Sequence, residues 1–356
     1  MLIIGLMSGT SLDGVDAVLV ETDGENNHKF LSGITLPYDA PFRKSLFELA
    51  QPDSFVNPSD IMRLEKELTE KHSEAVGELL KKSGVNGADV KAVGFHGQTI
   101  RHIPEEQLTW QMGNANLLSE QTGIAVVSDF RRRDMACGGQ GAPLVPYFHE
   151  ALFAKFEKPS AILNIGGVAN VTLLKEDGII ASDVGPGIGL LDAWIQKRTD
   201  LPFDKDGAIA SQGTVDTQWM QYTASDPFFD AAWPKSVDRY LFNNMVPDHL
   251  GLEDGARTLC ALTAETIASA LKAQGMISGK IYVHGGGGYH PVLMQDLKDK
   301  AGLDVVLLDE IGQQANYLEA ECFAWLAARR LKNLPFTSEK TTGCQRESVG
   351  GILTTA

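Results

Sequence analysis

The stretch IIGLMSGTSLDGVDAVLV, residues 3–20, decides the fold of this chain. Two apolar runs, Leu2 to Leu6 and Val15 to Val20, flank a turn built almost entirely of Gly, Ser, Thr and Asp. Short apolar runs separated by such residues are typical of a strand, a tight turn and a second strand. The sequence therefore predicts an N-terminal β-hairpin, and its turn is either a plain connection or a cradle for phosphate.

The composition of this turn suits phosphate binding. Gly5, Gly9 and Gly14 carry no Cβ, so nearby backbone amides can approach phosphate oxygens, and the hydroxyl side chains of the turn add donors. The chain has neither a Walker A lysine nor a G-x-G-x-x-G that opens a helix, which leaves a hairpin phosphate loop. Asp13 and Asp16 supply carboxylates of the kind that suits Mg²⁺ with retained waters. On spacing alone, a hairpin with turn-forming Asp and Ser stays equally open.

Composition and charge argue against several classes of protein. The 356 residues are 43% hydrophobic and 22% charged, which is ordinary for globular proteins and leaves room for two domains. A formal net charge of −15 repels polyanions, which disfavours nucleic acid and anionic membranes as partners. No apolar run approaches the roughly 18 residues of a membrane helix, and no charged n-region precedes the first strand. The four cysteines lack disulfide or metal-ligand spacing, so we expect a cytoplasmic protein.

The pattern after the hairpin alternates strands and helices, which predicts an α/β fold. Residues 160–187, SAILNIGGVANVTLLKEDGIIASDVGPG, again predict three short strands, with a turn at Gly166 and Gly167 between the first two. We interpret this as a structural repeat of two β-β-β-α/β halves. Two such halves would place their glycine turns facing each other across a ligand cleft.

The domain boundary is predicted at residues 131–146. This segment, RRRDMACGGQGAPLVP, breaks the periodicity with a cation run, glycines and prolines. We therefore expect one domain at 1–135 and a second at 136–345, with a C-terminal tail of about 346–356 packed on the first.

A second glycine run and an aspartate are candidate site features of the second half. VHGGGGYHP, residues 283–291, places four glycines between a strand and a helix, where the backbone can approach a base or ribose. Asp183 ends a strand just before Gly185-Pro186-Gly187 and a helix, a position from which a carboxylate can act as a general base. The alternatives are a packing turn for the glycines and a turn-capping role for the aspartate.

Polar side chains of the first half suit a sugar. GFHGQTIRH, residues 94–102, brings His96 and Gln98 to a strand-to-loop junction. Arg131 begins the strongest cation run of an acidic chain, and it either clamps an anionic substrate by a bidentate pair or lies in a solvated patch. Glu319 begins the last predicted helix, where its charge either stabilises the helix N-terminus or binds a ligand.

Seven motifs occur together in the order and spacing of one family: GLMSGTSLDGVDA, GFHGQT, DFRRRDMACGGQGAPLVP, NIGGVANVT, DVGPGIGLLDAW, VHGGGGYHP and EAECFAWLA. By these motifs the chain resembles the 1,6-anhydro-N-acetylmuramic acid kinases from Leu2 to about Leu353. The resemblance implies two RNase H-like domains of the actin-like ATPase (sugar kinase) fold around a central cleft that closes on ATP. That fold belongs to the superfamily of acetate and sugar kinases, heat-shock-70 proteins and actin, and the resemblance also implies a homodimer.

The activity implied by the resemblance is ATP-dependent. It hydrolyses the internal 1,6-anhydro bond of the sugar and phosphorylates O6, giving N-acetylmuramic acid 6-phosphate and ADP in peptidoglycan recycling. Asp183 matches the catalytic aspartate of the family, and we assign Mg²⁺ to Asp13, with Asp16 as the alternative. The expected sugar-binding residues are His96, Gln98, Arg131 and Glu319. The expected nucleotide-binding residues are Gly9, Thr10, Ser11, Leu12, Asp13, Gly14, Val15, Asp16, Gly166, Gly167, Gly185, Gly187, Gly285, Gly286 and Gly287.

Four positions depart from the family pattern. Val184 and Ile188 stand where relatives commonly have Thr and Asn, which predicts fewer polar contacts beside Asp183. His284 and His290 replace the usual Cys and Asn around the glycine run, which predicts altered nucleotide contacts.

Other functions stay open at this point. Another sugar kinase of the same fold is one alternative. An anhydrosugar glycosidase would use Asp183 and Glu319 as a carboxylate pair without needing the phosphate loop. An ATP-driven switch of the chaperone or filament type would need an interaction domain, and the sequence indicates none. A purely structural protein is disfavoured by the Gly, Asp and Arg residues at predicted strand ends.

Overall fold

The fold is described from a computed structural model, which describes residues 1–9, 12–51, 53–237 and 239–355. Its strands are β1 (Leu2–Ser8), β2 (Gly14–Thr22), β3 (His28–Pro37), β4 (Val90–Ile103), β5 (Leu108–Met112), β6 (Val126–Ser128), β7 (Ser160–Ile165), β8 (Val168–Lys175), β9 (Gly178–Pro186), β10 (Lys280–His284), β11 (Asp304–Leu307) and β12 (Ile352–Thr354). Its helices are α1 (Ala40–Leu49), α2 (Pro58–Ser83), α3 (Ala115–Thr122), α4 (Arg132–Ala136), α5 (Pro146–Leu152), α6 (Gly189–Arg198), α7 (Thr217–Ala224), α8 (Pro227–Asp230), α9 (Leu252–Ala273), α10 (Pro291–Ala301), α11 (Leu318–Leu331) and α12 (Glu339–Thr342). Among the helices described, none is long and apolar enough to cross a membrane.

The chain divides into two compact units. Unit 1 comprises Met1–Ala154 and Tyr317–Ala356, and unit 2 comprises Lys155–Asn316. This division differs from the expected domains at 1–135 and 136–345. The segment 131–146 is not a crossover, because it forms α4 and a loop inside unit 1, and α11 belongs to unit 1 because it packs on β1 and β4.

The sheet of unit 1 has the strand order β12-β6-β4-β1-β2-β3, and β5 pairs with β4. Strands β1, β2 and β3 form an antiparallel meander, as the opening of the sequence predicts. Strand β4 runs parallel to β1, β6 runs parallel to β4, and β12 closes the edge antiparallel to β6. As a result, β1 and β6 end at the same edge of the sheet.

The sheet of unit 2 repeats this arrangement. Its order is β11-β10-β7-β8-β9, with an antiparallel meander of β7, β8 and β9 followed by β10 and β11 parallel to β7. The five strands correspond one for one to β6-β4-β1-β2-β3 of unit 1. The repeat predicted from the sequence is therefore real at the level of topology, and the fold is α/β with two RNase H-like sheets.

The two faces of β1 have different partners, because successive side chains of a strand point to opposite faces. Ile4 and Leu6 lie in the apolar core formed with α1 and α2. Gly5 faces α11, and a Cβ at Gly5 would overlap the carbonyl oxygen of Ala320. Gly94, the register partner of Gly5 on β4, makes the same kind of approach to α11. The helix backbone thus lies directly on the sheet.

Replacement of Gly94 by alanine tests this close approach. The new Cβ would overlap the carbonyl oxygen of Phe323, so we expect Gly94→Ala to lower the free energy of unfolding by about 1–3 kcal/mol. The matched control is Gly77→Ala in α2, where a Cβ meets no atom within 4 Å. That substitution should raise stability by about 0.5–1 kcal/mol, because glycine in a helix loses more conformational entropy than alanine. Urea titrations that give equal stabilities for the two variants would contradict the assigned packing.

Candidate active site

The predicted phosphate turn connects β1 to β2 in unit 1. Thr10 and Ser11 lie outside the described residues. On the C-terminal side of the turn, Leu12 has φ +55° and buries its side chain in the core of unit 1, while its N–H donates to the Gly9 carbonyl at 3.2 Å. The carbonyl of Asp13 accepts the backbone N–H of Tyr38 at 2.9 Å. Backbone hydrogen bonds therefore hold both ends of the turn, and the buried side chain of Leu12 holds it against the core of unit 1.

The side-chain amide of Gln98 bonds to the end of β1 and to the start of the turn. Ser8 Oγ donates to Gln98 Oε1 at 2.6 Å, and Gln98 Nε2 donates to the Gly9 carbonyl at 3.2 Å. The Gln98 side chain is fully buried. We expected Gln98 to contact a sugar, but this structure commits its amide to the end of β1 and the start of the turn.

Asp16 lies on β2 directly after the turn. Thr35 Oγ1 donates to Asp16 Oδ1 at 2.6 Å from the paired position on β3. Burial raises the pKa of Asp16 to about 6, Thr35 opposes this rise, and the nearby charge of Asp13 adds to it. Asp16 therefore changes protonation state close to neutral pH.

The candidate metal ligands of the hairpin are two carboxylates. The described part of the chain contains no cluster of three or more His, Cys, Asp or Glu side chains arranged to hold an ion. Mg²⁺ commonly uses one or two carboxylates and takes its remaining ligands from phosphates and water. The donors of Asp13 and Asp16 fit that chemistry.

His96 and Arg131 form a preorganised pair in unit 1. Arg131 Nε donates to His96 Nε2 at 3.0 Å, so His96 Nδ1 carries the proton and donates to the Gly97 carbonyl at 2.8 Å. Burial, and secondarily the charge of Arg131, hold the pKa of His96 well below its usual range. Arg131 Nη1 also donates to the Gly141 carbonyl at 2.8 Å. A neutral histidine with a fixed tautomer thus orients the guanidinium.

Glu319 joins this group from the first turn of α11. Burial raises the pKa of Glu319, the charge of Arg131 opposes that rise, and the charge of Asp16 adds to it. Unit 1 therefore brings three of the four expected sugar-binding residues near one another and near the phosphate hairpin. Those three are His96, Arg131 and Glu319.

Asp134 is a residue of this region that sequence reasoning missed. Its buried carboxylate accepts the N–H of Gly141 at 2.8 Å and the hydroxyl of Thr342 at 2.7 Å. The loop before Gly141 thus wraps around Asp134, and this fixes the carbonyl that binds Arg131. The second arginine of the run, Arg132, is exposed and pairs with Asp129 at 2.8 Å. Only the fixed contacts, not the RRR motif itself, distinguish Arg131 from its neighbours.

Asp183 lies near the end of β9 in unit 2. It is 7% exposed, its Oδ2 accepts the N–H of Val237 at 2.9 Å, and its backbone N–H donates to the carbonyl of Lys235 at 2.9 Å. A β-bulge follows, because Asp183 pairs with Asn170 whereas Gly185 pairs with the preceding residue of β8. Bulges commonly re-aim a side chain beside an active site.

The bulge determines the direction of the Val184 side chain, which is one of the departures from the family pattern. Val184 is the extra residue, and its side chain is buried in the apolar core of unit 2. The neighbouring strand residue Asp183 therefore points to the opposite face of the sheet. We expected Val184 to remove polar contacts beside the base, but its side chain packs away from Asp183.

Asp183 belongs to a row of polar residues across the sheet of unit 2. Asp183 pairs with Asn170 on β8, Asn170 with Asn164 on β7, and Asn164 with His284 on β10. Directly paired residues of adjacent strands share one face of a sheet. Burial lowers the pKa of His284 to about 4, so this end of the row is neutral at pH 7. The two asparagines were not predicted as site residues, because their alignment depends on strand register.

The glycines of the NIGG turn support the loop after Asp183. The carbonyls of Gly166 and Gly167 accept the N–H groups of Ile188 and Gly187 at 2.8 and 3.3 Å. A Cβ at Gly187 would overlap the Gly166 carbonyl, and one at Gly185 would meet the side chain of Thr266. These four predicted nucleotide contacts therefore have a packing role in this structure, whether or not they also bind a ligand.

The second glycine run follows β10 as the sequence predicts. Gly285 has φ +83°, and Gly286 faces open space, since a Cβ there meets no atom within 4 Å. A Cβ at Gly287 would instead collide with Ile165. Among the predicted contacts of this run, Gly286 is the residue most accessible to a ligand.

His290 takes over a capping role at the start of α10. Its Nδ1 accepts the N–H of Leu293 at 3.2 Å, and its Nε2 lies 3.2 Å from the carboxylate of Asp204. An asparagine at an N-cap position accepts the same kind of backbone N–H. The departure at position 290 therefore conserves the helix cap, although it changes the side chain.

The ionisation of Asp16 can be measured directly. In a ¹³C titration of aspartate carboxyl groups, we expect Asp16 to titrate at about 6, and Asp16→Asn identifies its signal. Thr35→Val should raise this pKa, because it removes a hydrogen bond that stabilises the carboxylate, and Asp13→Asn should lower it, because it removes a neighbouring negative charge. An Asp16 pKa near 4 in the wild type would contradict the assigned environment.

Comparison with known proteins identifies the family. The family model described as anhydro-N-acetylmuramic acid kinase matches residues 1–356. The anhydro-N-acetylmuramic acid kinase of Zymomonas mobilis is 41% identical over 362 residues, which cover 99% of each chain. The enzyme of that name from Rhizorhabdus wittichii is 42% identical, covering 99% of this chain and 98% of the relative. The one from Azorhizobium caulinodans is 44% identical, covering 98% of both. With a match over its whole length and full-length relatives at these identities, the chain belongs to the anhydro-N-acetylmuramic acid kinase family.

Proposed function

We propose that this protein uses ATP and water to convert 1,6-anhydro-N-acetylmuramic acid to N-acetylmuramic acid 6-phosphate and ADP, in the recycling of cell-wall sugars. The observation that carries the proposal is the Asp183 carboxylate, which is buried at a β-bulge and held on one oxygen by the Val237 N–H. A base of this kind must be fixed in direction before its pKa matters. Family membership supplies the substrate.

The reaction balances as one hydrolysis coupled to one phosphoryl transfer. Asp183 takes a proton from water, the water oxygen bonds to the anomeric carbon C1, and the C1–O6 bond breaks. The released O6 attacks the γ-phosphorus of ATP, and the bond from that phosphorus to the β-phosphate oxygen breaks to release ADP. Positioning and charge neutralisation provide most of the acceleration in phosphoryl transfer.

Unit 1 supplies the phosphate and sugar contacts in this proposal. Backbone amides of the turn from Gly9 to Gly14, including the hydroxyl residues Thr10 and Ser11, bind ATP phosphates. Asp13 and Asp16 hold Mg²⁺, which when bound neutralises phosphate charge. The sugar contacts come from His96, Arg131 and Glu319, and His96 orients Arg131 before the sugar binds.

Unit 2 supplies the base and the nucleoside contacts. We assign Asp183 to the attacking water and the exposed Gly286, with its neighbours Gly285 and Gly287, to the adenosine. From the family resemblance we further propose a cytoplasmic homodimer. The chemistry assigned to Asp183 depends neither on the cellular location nor on the oligomeric state.

Substitution of the base tests the proposal. We expect Asp183→Asn to lower sugar-dependent ADP release by about 10²–10⁴-fold, because a carboxamide cannot take the proton from water. ADP binding, measured by calorimetry, should stay within about twofold of the wild type, because Asp183 is not assigned to the nucleotide. Near-wild-type turnover in Asp183→Asn would contradict the assignment. Product analysis of the wild type separates the alternatives: a glycosidase gives unphosphorylated sugar, and an ATP-driven switch gives sugar-independent ADP.

Substitution of Arg131 tests the sugar site. Loss of a charge-assisted hydrogen bond costs about 1.5–3 kcal/mol, so Arg131→Met should raise the KM for the sugar by roughly 10–150-fold and that for ATP much less. Arg132→Met is the matched control, since Arg132 is exposed and paired only with Asp129 among the described residues. Equal losses for sugar and ATP in Arg131→Met would show that the residue supports the fold or the phosphates instead.

A further inference from the structure

Asn170 occupies a special position in unit 2. It is the register partner of Asp183 on the neighbouring strand, at the β-bulge. Directly opposed residues of an antiparallel pair have Cβ atoms about 4.5–5.5 Å apart and share one face of the sheet. The amide of Asn170 therefore lies beside the carboxylate of Asp183, within reach of any small molecule bound to that carboxylate.

The Asn170 side chain is not used by the fold. It is half-buried, and no other residue of the described ranges forms a hydrogen bond with its amide. Gln98 and His96, the polar side chains at the end of β1 and beside Arg131, do have partners, since Gln98 bonds to Ser8 and His96 to Arg131. Buried or half-buried amides normally find partners, so an uncommitted one facing a carboxylate needs a ligand or water to satisfy it.

The topological repeat offers an internal comparison. Asp16 and Thr35 occupy the equivalent positions on β2 and β3 of unit 1, at the same distance from the end of the preceding strand. That pair is closed by a direct hydrogen bond of 2.6 Å. No such bond joins Asn170 to Asp183. The two pairs thus differ, because the side chain on β8 has no such partner on β9.

We propose that Asn170 is a further catalytic residue, which binds the attacking water together with Asp183. The inference rests on the proposed function. One water hydrogen is donated to the Asp183 carboxylate and the other to Asn170 Oδ1, which leaves an oxygen lone pair aimed at C1. As the O–C1 bond forms and the C1–O6 bond breaks, the first proton passes to Asp183, and the second stays on the new anomeric hydroxyl. The amide orients the water without competing for its proton.

This role predicts a loss in kcat and a loss of selectivity for water. We expect Asn170→Ala to lower kcat for sugar-dependent ADP release by about 10–100-fold, which is a typical range for one positioned group, with the KM for ATP unchanged. In buffer with added methanol, the fraction of product recovered as methyl glycoside 6-phosphate should rise several-fold, because the variant lacks the acceptor for the second hydrogen that water has and methanol lacks. A residue that only supported the fold would not change this ratio. Asn170→Ser, whose hydroxyl oxygen can also accept a hydrogen bond, should restore part of the kcat and part of the selectivity for water.

The matched control is Thr172→Val. Thr172 lies on the same face of β8 two residues further on, and its register partner is Ala181 rather than Asp183. The Thr172→Val substitution should leave kcat and the methanol ratio near their wild-type values. One result would overturn this inference and leave the proposed function standing. In that result the wild type phosphorylates the sugar, and Asn170→Ala and Asn170→Ser both keep the wild-type kcat and the wild-type methanol ratio. Wild-type enzyme that never phosphorylates the sugar would overturn both.

Discussion

Unit 1 is organised by the approach of α11 to Gly5 and Gly94. Because neither residue has a side chain, the helix backbone lies directly on β1 and β4 and holds the two strands in parallel register. That register pairs Ser8, the last residue of β1, with Gln98. It also places the end of β6, from which the chain continues to Arg131, at the same edge. The phosphate hairpin, His96 and Arg131 converge there, and Glu319 arrives on α11 itself.

Unit 2 uses the same five-strand plan with different chemistry. The carbonyls of its hairpin turn, NIGG, accept hydrogen bonds from the loop after Asp183, whereas the Gly9 carbonyl in the turn of unit 1 accepts hydrogen bonds from Leu12 and Gln98. The strand pair after the turn carries Asn170 and Asp183 in unit 2, where unit 1 has Asp16 and Thr35. Equivalent strand pairs thus carry a carboxylate bonded to a threonine in one unit and an amide opposite a carboxylate in the other.

Much of this could be predicted from the sequence, because the signals are local. Short apolar runs predicted the strands of the two meanders. The Gly-Pro-Gly after a predicted strand indicated that Asp183 lies at a strand end. The domain division could not be read in this way, since α11 joins unit 1 through contacts with residues more than 200 positions earlier. Asp134 and Asn170 were missed for a related reason. Their roles depend on a loop that folds back and on a bulge that sets register, and neither leaves a spacing pattern in the chain.

The most direct test of the account follows the oxygen that bridges C1 and C6 of the anhydro sugar. With this oxygen labelled as ¹⁸O and with ATP and Mg²⁺ present, the account predicts a single sugar product, the 6-phosphate. The label should sit in the C6–O–P bridge, where it shifts the ³¹P NMR signal. Recovery of the label in unphosphorylated sugar, or at the C1 hydroxyl, would contradict the coupling of C1–O6 cleavage to phosphoryl transfer.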